Sequence, residues 1–240
     1  YDLKRFIDKK DFGKIRSTPY GNSLTFDFAK AALINEQLGK DSITDFLAVS
    51  FSSTDYIGHA FGPNSVEIED TYLRLDKDLE AFLIFLDNQV GKGNYTLFLS
   101  ADHGVAHVPG FLAKHKIPNG GVVGSESEKK LNAYLKEKFS VDSLCLGSGN
   151  YQFYLNHNLI EEKKLDYDDI LKHTISFLQK INGVDRALEY ADLQEAMLPK
   201  ALKEQFINGY YPSRCGDVLV ILKPGFIDDE YDKKGTTHGI

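Results

Sequence analysis

Three short stretches of the sequence bring carboxylate and imidazole side chains together: Asp55 with His59, the adjacent Asp102 and His103, and His238. Carboxylate oxygen and imidazole nitrogen are ligands that Zn²⁺ accepts, and catalytic zinc sites take three protein ligands and leave one position open. Two such sites about 4 Å apart can hold the attacking and the leaving oxygen of a phosphoryl transfer. The sequence therefore predicts a two-metal site for phosphoryl chemistry.

Each stretch taken alone also fits a structural role. An Asp in a turn often caps a helix or orders a loop, so the spacing of Asp55 and His59 by itself indicates little. The pair Asp102 and His103 indicates more, because charged residues are rarely placed at the edge of a core without a partner. The metal hypothesis therefore depends on all three stretches together.

Two apolar runs precede these motifs in the chain. Residues 45–50 (DFLAVS) and 95–100 (YTLFLS) are typical of strands buried on both faces, and apolar residues at helical spacing predict a long helix over 65–90. A strand, helix and strand in this order predict a right-handed parallel crossover, in which ligands gather at the carboxyl ends of the strands. We expect the motifs to lie there, each in a glycine-containing turn.

The remaining pattern predicts an α/β core with a smaller inserted subdomain. We assign residues 1–113 and 224–240 to the core and residues 114–223 to an α+β insertion. The other predicted elements are helices at 23–38, 126–139, 166–181 and near 191–207, and strands near 142–147, 150–156, 183–190 and 216–222.

Composition narrows the class of protein. The 240 residues are 42% hydrophobic and 26% charged, which indicates a folded globular chain. A net charge of −7 argues against a nucleic-acid partner. No apolar run approaches the roughly 20 residues of a membrane helix, and residues 1–10 do not resemble a signal peptide. For Cys145 and Cys215, a disulfide and two separate thiols both stay open.

Several other ionisable residues draw less specific interpretations. His107 is either an ordinary loop histidine or a partner of a metal ligand. His115, His157 and His173 have no ligand-type neighbours in sequence and are interpreted as surface or packing residues. A solvated acidic loop, which a Ca²⁺ ion could also visit, is expected at Asp228, Asp229, Glu230 and Asp232.

Three strings in the sequence resemble, in order, the metal motifs of one family. They are residues 52–62 (SSTDYIGHAFG), 100–104 (SADHG) and 235–239 (GTTHG). They are similar to motifs of the type I phosphodiesterase/nucleotide pyrophosphatase family of the alkaline phosphatase superfamily, especially its bacterial alkaline phosphatases. The resemblance implies part of a parallel sheet with helices on both faces. It also implies that Asp55, His59 and His238 hold one zinc ion and that Asp102 and His103 hold the other.

The family mechanism implied is attack by a metal-activated Thr or Ser on a small phosphorylated substrate, through a phospho-enzyme. Members place that nucleophile, one Asp ligand and the phosphate-binding groups before the first motif, and Thr18, Thr25 and Ser52 do not match the nucleophile's context. We therefore expect a fragment without a catalytic nucleophile that is inactive alone and holds the second metal weakly. We also expect His238 to lie on an untethered tail.

Alternatives stay open at this point. The substrate of the parent enzyme could be a phosphate monoester, which we favour, or a diester or nucleotide pyrophosphate. A sulfatase or phosphomutase of the same superfamily is a rival, although neither Cys145 nor Cys215 lies in a sulfatase context. A non-catalytic metal-binding domain is a rival of another class. The resemblance implies a periplasmic or secreted location, and nothing indicates the oligomeric state.

Overall fold

The structure, a computed structural model, describes Lys4, residues 11–228 and residues 235–238. These residues fall into two units. The first ends at Val108 and includes residues 235–238, and the second begins at Pro109. All five predicted ligands belong to the first unit. The predicted domain boundaries after residues 113 and 223 stay a prediction.

Within residues 11–108, three α-helices form the framework of the first unit. A short 3-10 turn over Phe12–Ser17 leads into them, and a π turn over Asp87–Gly91 follows the last. The long helix begins after Ser65, whose hydroxyl accepts a hydrogen bond from the backbone N–H of Ile68 at 3.3 Å. This bond gives a partner to one of the backbone N–H groups that are left unpaired at the start of a helix. The helices are α1 (Pro19–Asn35), α2 (Ser53–Phe61) and α3 (Val66–Leu86).

An apolar contact between α1 and α3 is the core of the first unit. Its buried members are Phe26, Ala29, Leu33, Phe82 and Leu86. Full burial of one such large side chain contributes about 1.5–3 kcal/mol. Val49, Phe51 and Tyr95 pack against this cluster, so the helices anchor one end of each chain segment that leads to the predicted ligands.

The two predicted strands before the ligand motifs do not form. Residues 45–50 and 95–100 lie outside every helix and strand, and among the described residues neither segment makes a backbone–backbone hydrogen bond. Phe46 is 79% and Phe98 is 77% exposed. The prediction of strands buried on both faces is therefore wrong for this chain. A strand is stabilised by its neighbours in a sheet, and the described part of the chain supplies no neighbour for either segment.

An antiparallel sheet organises the second unit. The described strands are β1 (Gly120–Gly121), β2 (Cys145–Gly149), β3 (Gln152–Leu155), β4 (Val184–Glu189), β5 (Val218–Leu222) and β6 (Phe226–Ile227). The antiparallel sheet has the order β2-β3-β5-β4, and β1 and β6 form a separate parallel pair. Strands β2 to β5 confirm the strands predicted between residues 142 and 222.

Five helices accompany this sheet. They are α4 (Pro109–Lys114), α5 (Gly124–Phe139), α6 (His157–Glu162), α7 (Tyr167–Leu178) and α8 (Lys200–Gly209). Leu131 and Leu135 of α5 and Ile170 and Leu178 of α7 share one fully buried core with Val218. The helix predicted near 191–207 starts later than expected, because residues 191–195 form turns and residues 196–199 have no regular secondary structure. The α/β class is confirmed, because the described residues contain helices, a parallel pair of strands and an antiparallel sheet. No helix within the described ranges has the length and apolar character that crossing a bilayer requires.

The two cysteines of the second unit are separate thiols, so the disulfide alternative does not hold in this structure. Cys145 is buried, and its burial raises the pKa of the thiol from 9.0 to about 11. Cys215 is half-buried, and its sulfur accepts a hydrogen bond from the backbone N–H of Tyr211 at 3.2 Å. The Cys145 thiol donates to the Gly147 carbonyl at 3.5 Å, so each sulfur has a partner close to it in sequence.

Candidate metal centre

Helix α2 presents the first two predicted ligands. Asp55 and His59 are four residues apart, so they lie on one face of the helix, whereas Ile57 between them is fully buried. The expectation that this motif lies in a turn is wrong. The helix ends at Gly62, whose φ of +83° is a conformation that side chains disfavour.

Helix α1 supports α2 directly beside Asp55. The side chain of Asn22 is buried, and its amide donates a hydrogen bond to the Thr54 hydroxyl at 3.0 Å. The Asn22 amide oxygen is buried without a hydrogen-bond partner. A buried polar atom without a partner costs free energy, so the surrounding packing must hold Asn22 in this position. The contact between Asn22 and Thr54 is therefore a constrained junction between the two helices.

The Asp55 carboxylate lies between two imidazole rings. Its Oδ2 is 3.5 Å from Nε2 of His59, and its Oδ1 is 3.9 Å from Nε2 of His103. The same Nε2 of His103 lies 3.6 Å from Oδ2 of Asp102. The structure thus brings together four of the five predicted ligands from two separate stretches of chain.

Backbone carbonyls fix the protonation of both rings at their other nitrogen. Nδ1 of His59 lies 2.8 Å from the carbonyl oxygen of Thr236, and Nδ1 of His103 lies 2.9 Å from that of Gly104. A carbonyl can only accept, so each Nδ1 carries a proton and donates it. In the neutral ring, Nε2 then presents a lone pair, which is the arrangement found in metal-ligating histidines.

The distance between His59 and Asp55 is the central geometric feature of this cluster. Nε2 of His59 and the nearest Asp55 oxygen are 3.5 Å apart, which exceeds the length of a charge-assisted hydrogen bond. Two ligands of one tetrahedral zinc ion, each about 2.0–2.1 Å from the metal, lie about 3.4 Å apart. The distance fits a cation between the two atoms better than a shared proton.

The segment that carries His238 is tethered to the rest of the first unit. The backbone N–H of Thr236 donates to the carbonyl of His59 at 2.9 Å, and its hydroxyl donates to the carbonyl of Ala106 at 2.9 Å. Ala106 in turn donates to the carbonyl of Thr237 at 3.1 Å. The expectation of an untethered tail is wrong, because these three bonds hold residues 236 and 237 against both neighbouring segments.

His238 completes the group, although it stands at its exposed side. Its ring centroid lies 4.0 Å from that of His103 and 5.3 Å from that of His59. As the side chains stand, no three His, Cys, Asp or Glu residues in the described ranges are arranged to hold a metal ion. Two pairs of these side chains nevertheless have their donor atoms at the spacing of two ligands of one metal ion. They are Asp55 with His59, at 3.5 Å, and Asp102 with His103, at 3.6 Å.

Gly235 is a site residue that sequence reasoning did not single out. Its φ is +80°, and an added Cβ would lie 2.9 Å from the carbonyl oxygen of His59. Only glycine accepts both constraints without strain, so this position allows residues 236–238 to approach α2. The signal was present in the sequence as the first residue of the GTTHG string.

Comparison with known proteins decides the family. The model of the type I phosphodiesterase/nucleotide pyrophosphatase family matches residues 5–240. The chain belongs to this family. Alkaline phosphatase PafA of Elizabethkingia meningoseptica is 47% identical over 239 residues, which are 100% of this chain and 43% of that protein. A protein of Myroides odoratus named calcium-transporting ATPase is 48% identical over 240 residues, 99% of this chain and 44% of that protein.

A solved structure extends the family relationship to three dimensions. The crystal structure of a PafA variant with four substitutions matches with a TM-score of 0.90 at 46% identity. The match covers 95% of this chain and 43% of that chain. The described residues therefore have the fold of the corresponding part of PafA. This chain spans less than half the length of these relatives.

The hydroxyls of Thr18, Thr25 and Ser52, which were compared with the family nucleophile, contact residues near them in sequence. The Thr18 hydroxyl donates to the Ile15 carbonyl at 2.7 Å, and the Thr25 hydroxyl donates to the Gly21 carbonyl at 2.9 Å. The Ser52 hydroxyl lies 3.4 Å from that of Ser50. Each contact is local, within four residues along the chain.

The other histidines are placed as the sequence suggested, with one addition. His115 contacts the Phe111 carbonyl, and His173 contacts the Tyr134 hydroxyl. His157 lies 2.6 Å from Asp217, a nearly buried carboxylate that also accepts from the Tyr167 hydroxyl at 2.9 Å. This contact was not foreseen from sequence. His107 contacts Asn64 at 2.8 Å, which leaves both of its interpretations open. Asp228 is half-buried, and the other three residues of the expected acidic loop lie outside the described ranges.

Proposed function

We propose that the protein containing these residues is a phosphomonoesterase of the alkaline phosphatase type that uses two zinc ions. The observation that supports this most strongly is that Nε2 of His59 and Nε2 of His103 face the two oxygens of one carboxylate, Asp55. Membership of the family, and the names of its alkaline phosphatase relatives, support the reaction class.

The ligands divide between the two ions by motif. We assign Asp55, His59 and His238 to one zinc ion, and Asp102 and His103 to the other. His238 reaches its ion by rotation about its side-chain bonds, since it is exposed and residues 236 and 237 hold its backbone in place. Nitrogen and carboxylate oxygen together suit a borderline cation such as Zn²⁺ better than they suit Mg²⁺ or Ca²⁺.

The described residues prepare this centre before any ion arrives. The carbonyls of Thr236 and Gly104 keep Nδ1 protonated in His59 and His103, so each ring keeps Nε2 free as a donor to the metal. Asp55 holds its carboxylate between the two rings. When bound, the zinc ions would lower the pKa of a coordinated hydroxyl or water and offset the charge of the phosphoryl group.

A nucleophile is proposed to come from polypeptide outside these 240 residues. Thr18, Thr25 and Ser52 make local hydrogen bonds and do not match the family's nucleophile context. The second ion would then have two ligands from this chain, Asp102 and His103, and would be bound weakly by the chain alone. Zinc binding without turnover is the expected behaviour of the isolated 240 residues.

An assay that follows zinc and turnover together tests this proposal. The isolated chain should bind zinc and release no p-nitrophenol from p-nitrophenyl phosphate. A longer form that includes the remainder of the family fold should hydrolyse this monoester faster than bis(p-nitrophenyl) phosphate, and a chelator should abolish the activity. Robust turnover by the isolated chain would refute the external nucleophile.

Two other results would select the alternatives. Faster cleavage of the diester would favour a phosphodiesterase or nucleotide pyrophosphatase of the same family. Zinc binding without turnover in the longer form would favour a non-catalytic metal-binding domain. The proposed periplasmic or secreted location rests on the family resemblance, and fractionation of the source cells with an antibody to this chain tests it. Detection in the cytoplasmic fraction alone would contradict it.

A further inference from the structure

Thr236 connects the two stretches of chain that carry the first four predicted ligands. Its backbone N–H donates to the carbonyl of His59 at 2.9 Å, and its own carbonyl accepts from Nδ1 of the same ring at 2.8 Å. Its buried hydroxyl donates to the carbonyl of Ala106 at 2.9 Å, and a second acceptor, the Thr237 carbonyl, lies farther away at 3.3 Å. One residue therefore joins α2 to the segment that follows His103.

The segment that carries Asp102 and His103 is attached to the rest of the first unit by few hydrogen bonds. Within the described ranges, residues 100–106 bond to another part of the chain only where Ala106 meets residues 236 and 237. The remaining hydrogen bonds of this segment join adjacent residues. Because one of the two attachments is the Thr236 hydroxyl, the position of Asp102 and His103 depends on that side chain.

A shift of this segment would change the distance between the two proposed ions. Oδ1 of Asp55 and Nε2 of His103, which we assign to different ions, are 3.9 Å apart. Two ions that act together on one phosphoryl group lie about 3.5–4 Å apart. We propose that Thr236 is a positioning residue, whose hydroxyl sets the separation of the ions by holding Asp102 and His103 beside α2. This inference rests on the proposed function, because it requires both ions at their assigned ligands.

Two substitutions at Thr236 isolate the hydroxyl from the rest of the residue. Thr236→Val keeps the branched shape, Thr236→Ser keeps the hydroxyl, and both keep the backbone bonds to His59. Thr71→Val is the matched control, since Thr71 is also buried and its hydroxyl donates to the Glu67 carbonyl within α3 at 2.7 Å. The control therefore removes an equally buried hydroxyl that bonds only within its own helix.

Titration with Co²⁺ measures the effect at each ion, because bound Co²⁺ takes the ligands of Zn²⁺ and absorbs visible light. The protein is the longer form that includes the remainder of the family fold, and His59→Ala and His103→Ala identify the absorption of each ion. In Thr236→Val the second ion should bind at least about 10-fold more weakly, while the first binds as in the unmodified protein. Thr236→Ser and Thr71→Val should bind both ions as the unmodified protein does.

Hydrogen–deuterium exchange in the metal-free chain of 240 residues gives a readout that does not depend on an ion. The backbone N–H of Ala106 donates to the Thr237 carbonyl at 3.1 Å, and in Thr236→Val it should exchange at least about 10-fold faster. In Thr236→Ser its exchange should be unchanged. The amide at position 236 should keep its protection in both variants, since its bond to the His59 carbonyl does not involve the side chain.

Several results would overturn the proposal. Equal weakening of both ions in Thr236→Val, or the same loss in Thr71→Val, would give Thr236 a general role in stability instead. A loss in Thr236→Ser as large as in Thr236→Val would exclude the hydroxyl, and unchanged exchange of the Ala106 amide would exclude the attachment. Failure of the unmodified longer form to bind Co²⁺ would refute the proposed function, on which this inference rests.

Discussion

At the scale of single residues, the account depends on Asp55. Its two carboxylate oxygens lie 3.5 and 3.9 Å from Nε2 of His59 and Nε2 of His103, and Nδ1 of each ring donates to a backbone carbonyl. A cation placed between the carboxylate and the two neutral rings is stabilised by all three groups. In the proposed metal site, the side chains of Asp55, His59 and His103 already lie close together, and the exposed His238 stands beside them.

Replacing Asp55 therefore tests the electrostatic argument. In Asp55→Asn, the amide keeps the shape but loses the charge that both histidines face. Zinc affinity, measured by competition with a chromogenic chelator, should fall by at least about 10-fold. Asp76→Asn makes the same change at an exposed position on α3 and should leave the affinity unchanged. Equal affinities for the two variants would contradict the placement of Asp55 in the site.

Gly235 offers a second test, directed at backbone geometry. In Gly235→Ala the new Cβ would lie 2.9 Å from the His59 carbonyl oxygen, at a φ of +80°. The segment must move away from α2, which weakens both the Thr236 bonds and the approach of His238. We expect zinc affinity to drop by about 10-fold. Gly93→Ala is the control, since Gly93 also has a positive φ but has open space around it. A comparable loss of affinity in the control would show that the effect is not local.

At the scale of elements, the junction of α1 with α2 holds the site in position. Asn22→Ala removes a buried side chain that bonds to Thr54, next to Asp55, and should lower the free energy of unfolding by about 1–3 kcal/mol. Asn35→Ala on the same helix removes an exposed amide bonded only to the Ala31 carbonyl, and should change it by no more than about 0.5 kcal/mol. Urea titration measures both, and a smaller loss for Asn22 than for Asn35 would contradict the junction.

Sequence patterns predicted the helices and the sheet of the second unit because those elements carry their own partners within the chain. The apolar spacing of α5, α7 and β5 reflects one shared core, so local pattern and tertiary packing agree. Residues 45–50 and 95–100 show the limit of that approach. Their composition predicted strands, but a strand requires a neighbour, and composition does not say whether the neighbour is present.

The five ligand-type residues could be selected from sequence because their types and motifs are specific. Their geometry could not. The helix under Asp55 and His59 depends on burial of Ile57 and on the junction with Asn22, which are contacts distant in sequence. The tether of His238 depends on Thr236 meeting Ala106, 130 positions earlier in the chain. Long-range hydrogen bonds of this kind leave no periodic signal in the sequence.

At the scale of the whole molecule, the two units have separate apolar cores, and each contains a different group that can be tested. The first unit contains the five predicted ligands, and the second contains a buried thiol. The pKa of Cys145 is raised by burial to about 11, from 9.0 in the unfolded chain. Its contribution to stability is therefore fully present below pH 9 and is lost as the pH rises toward 11, because the unfolded chain releases the proton first.

This linkage gives a prediction for the second unit. Between pH 9 and pH 11 the unmodified chain should lose about 2–3 kcal/mol of unfolding free energy that Cys145→Ala does not lose. Urea titration at several pH values, followed by a probe in the second unit, measures the difference between the two proteins. A difference that is constant over this range would contradict the raised pKa.

Anomalous diffraction at the zinc edge, from crystals of this chain grown with zinc, tests the metal centre most directly. The account predicts a peak about 2.0–2.2 Å from Asp55 and from Nε2 of His59, with His238 turned toward it. A second, weaker peak is expected beside Asp102 and His103. A crystal with zinc bound elsewhere and none within reach of Asp55 would contradict the account.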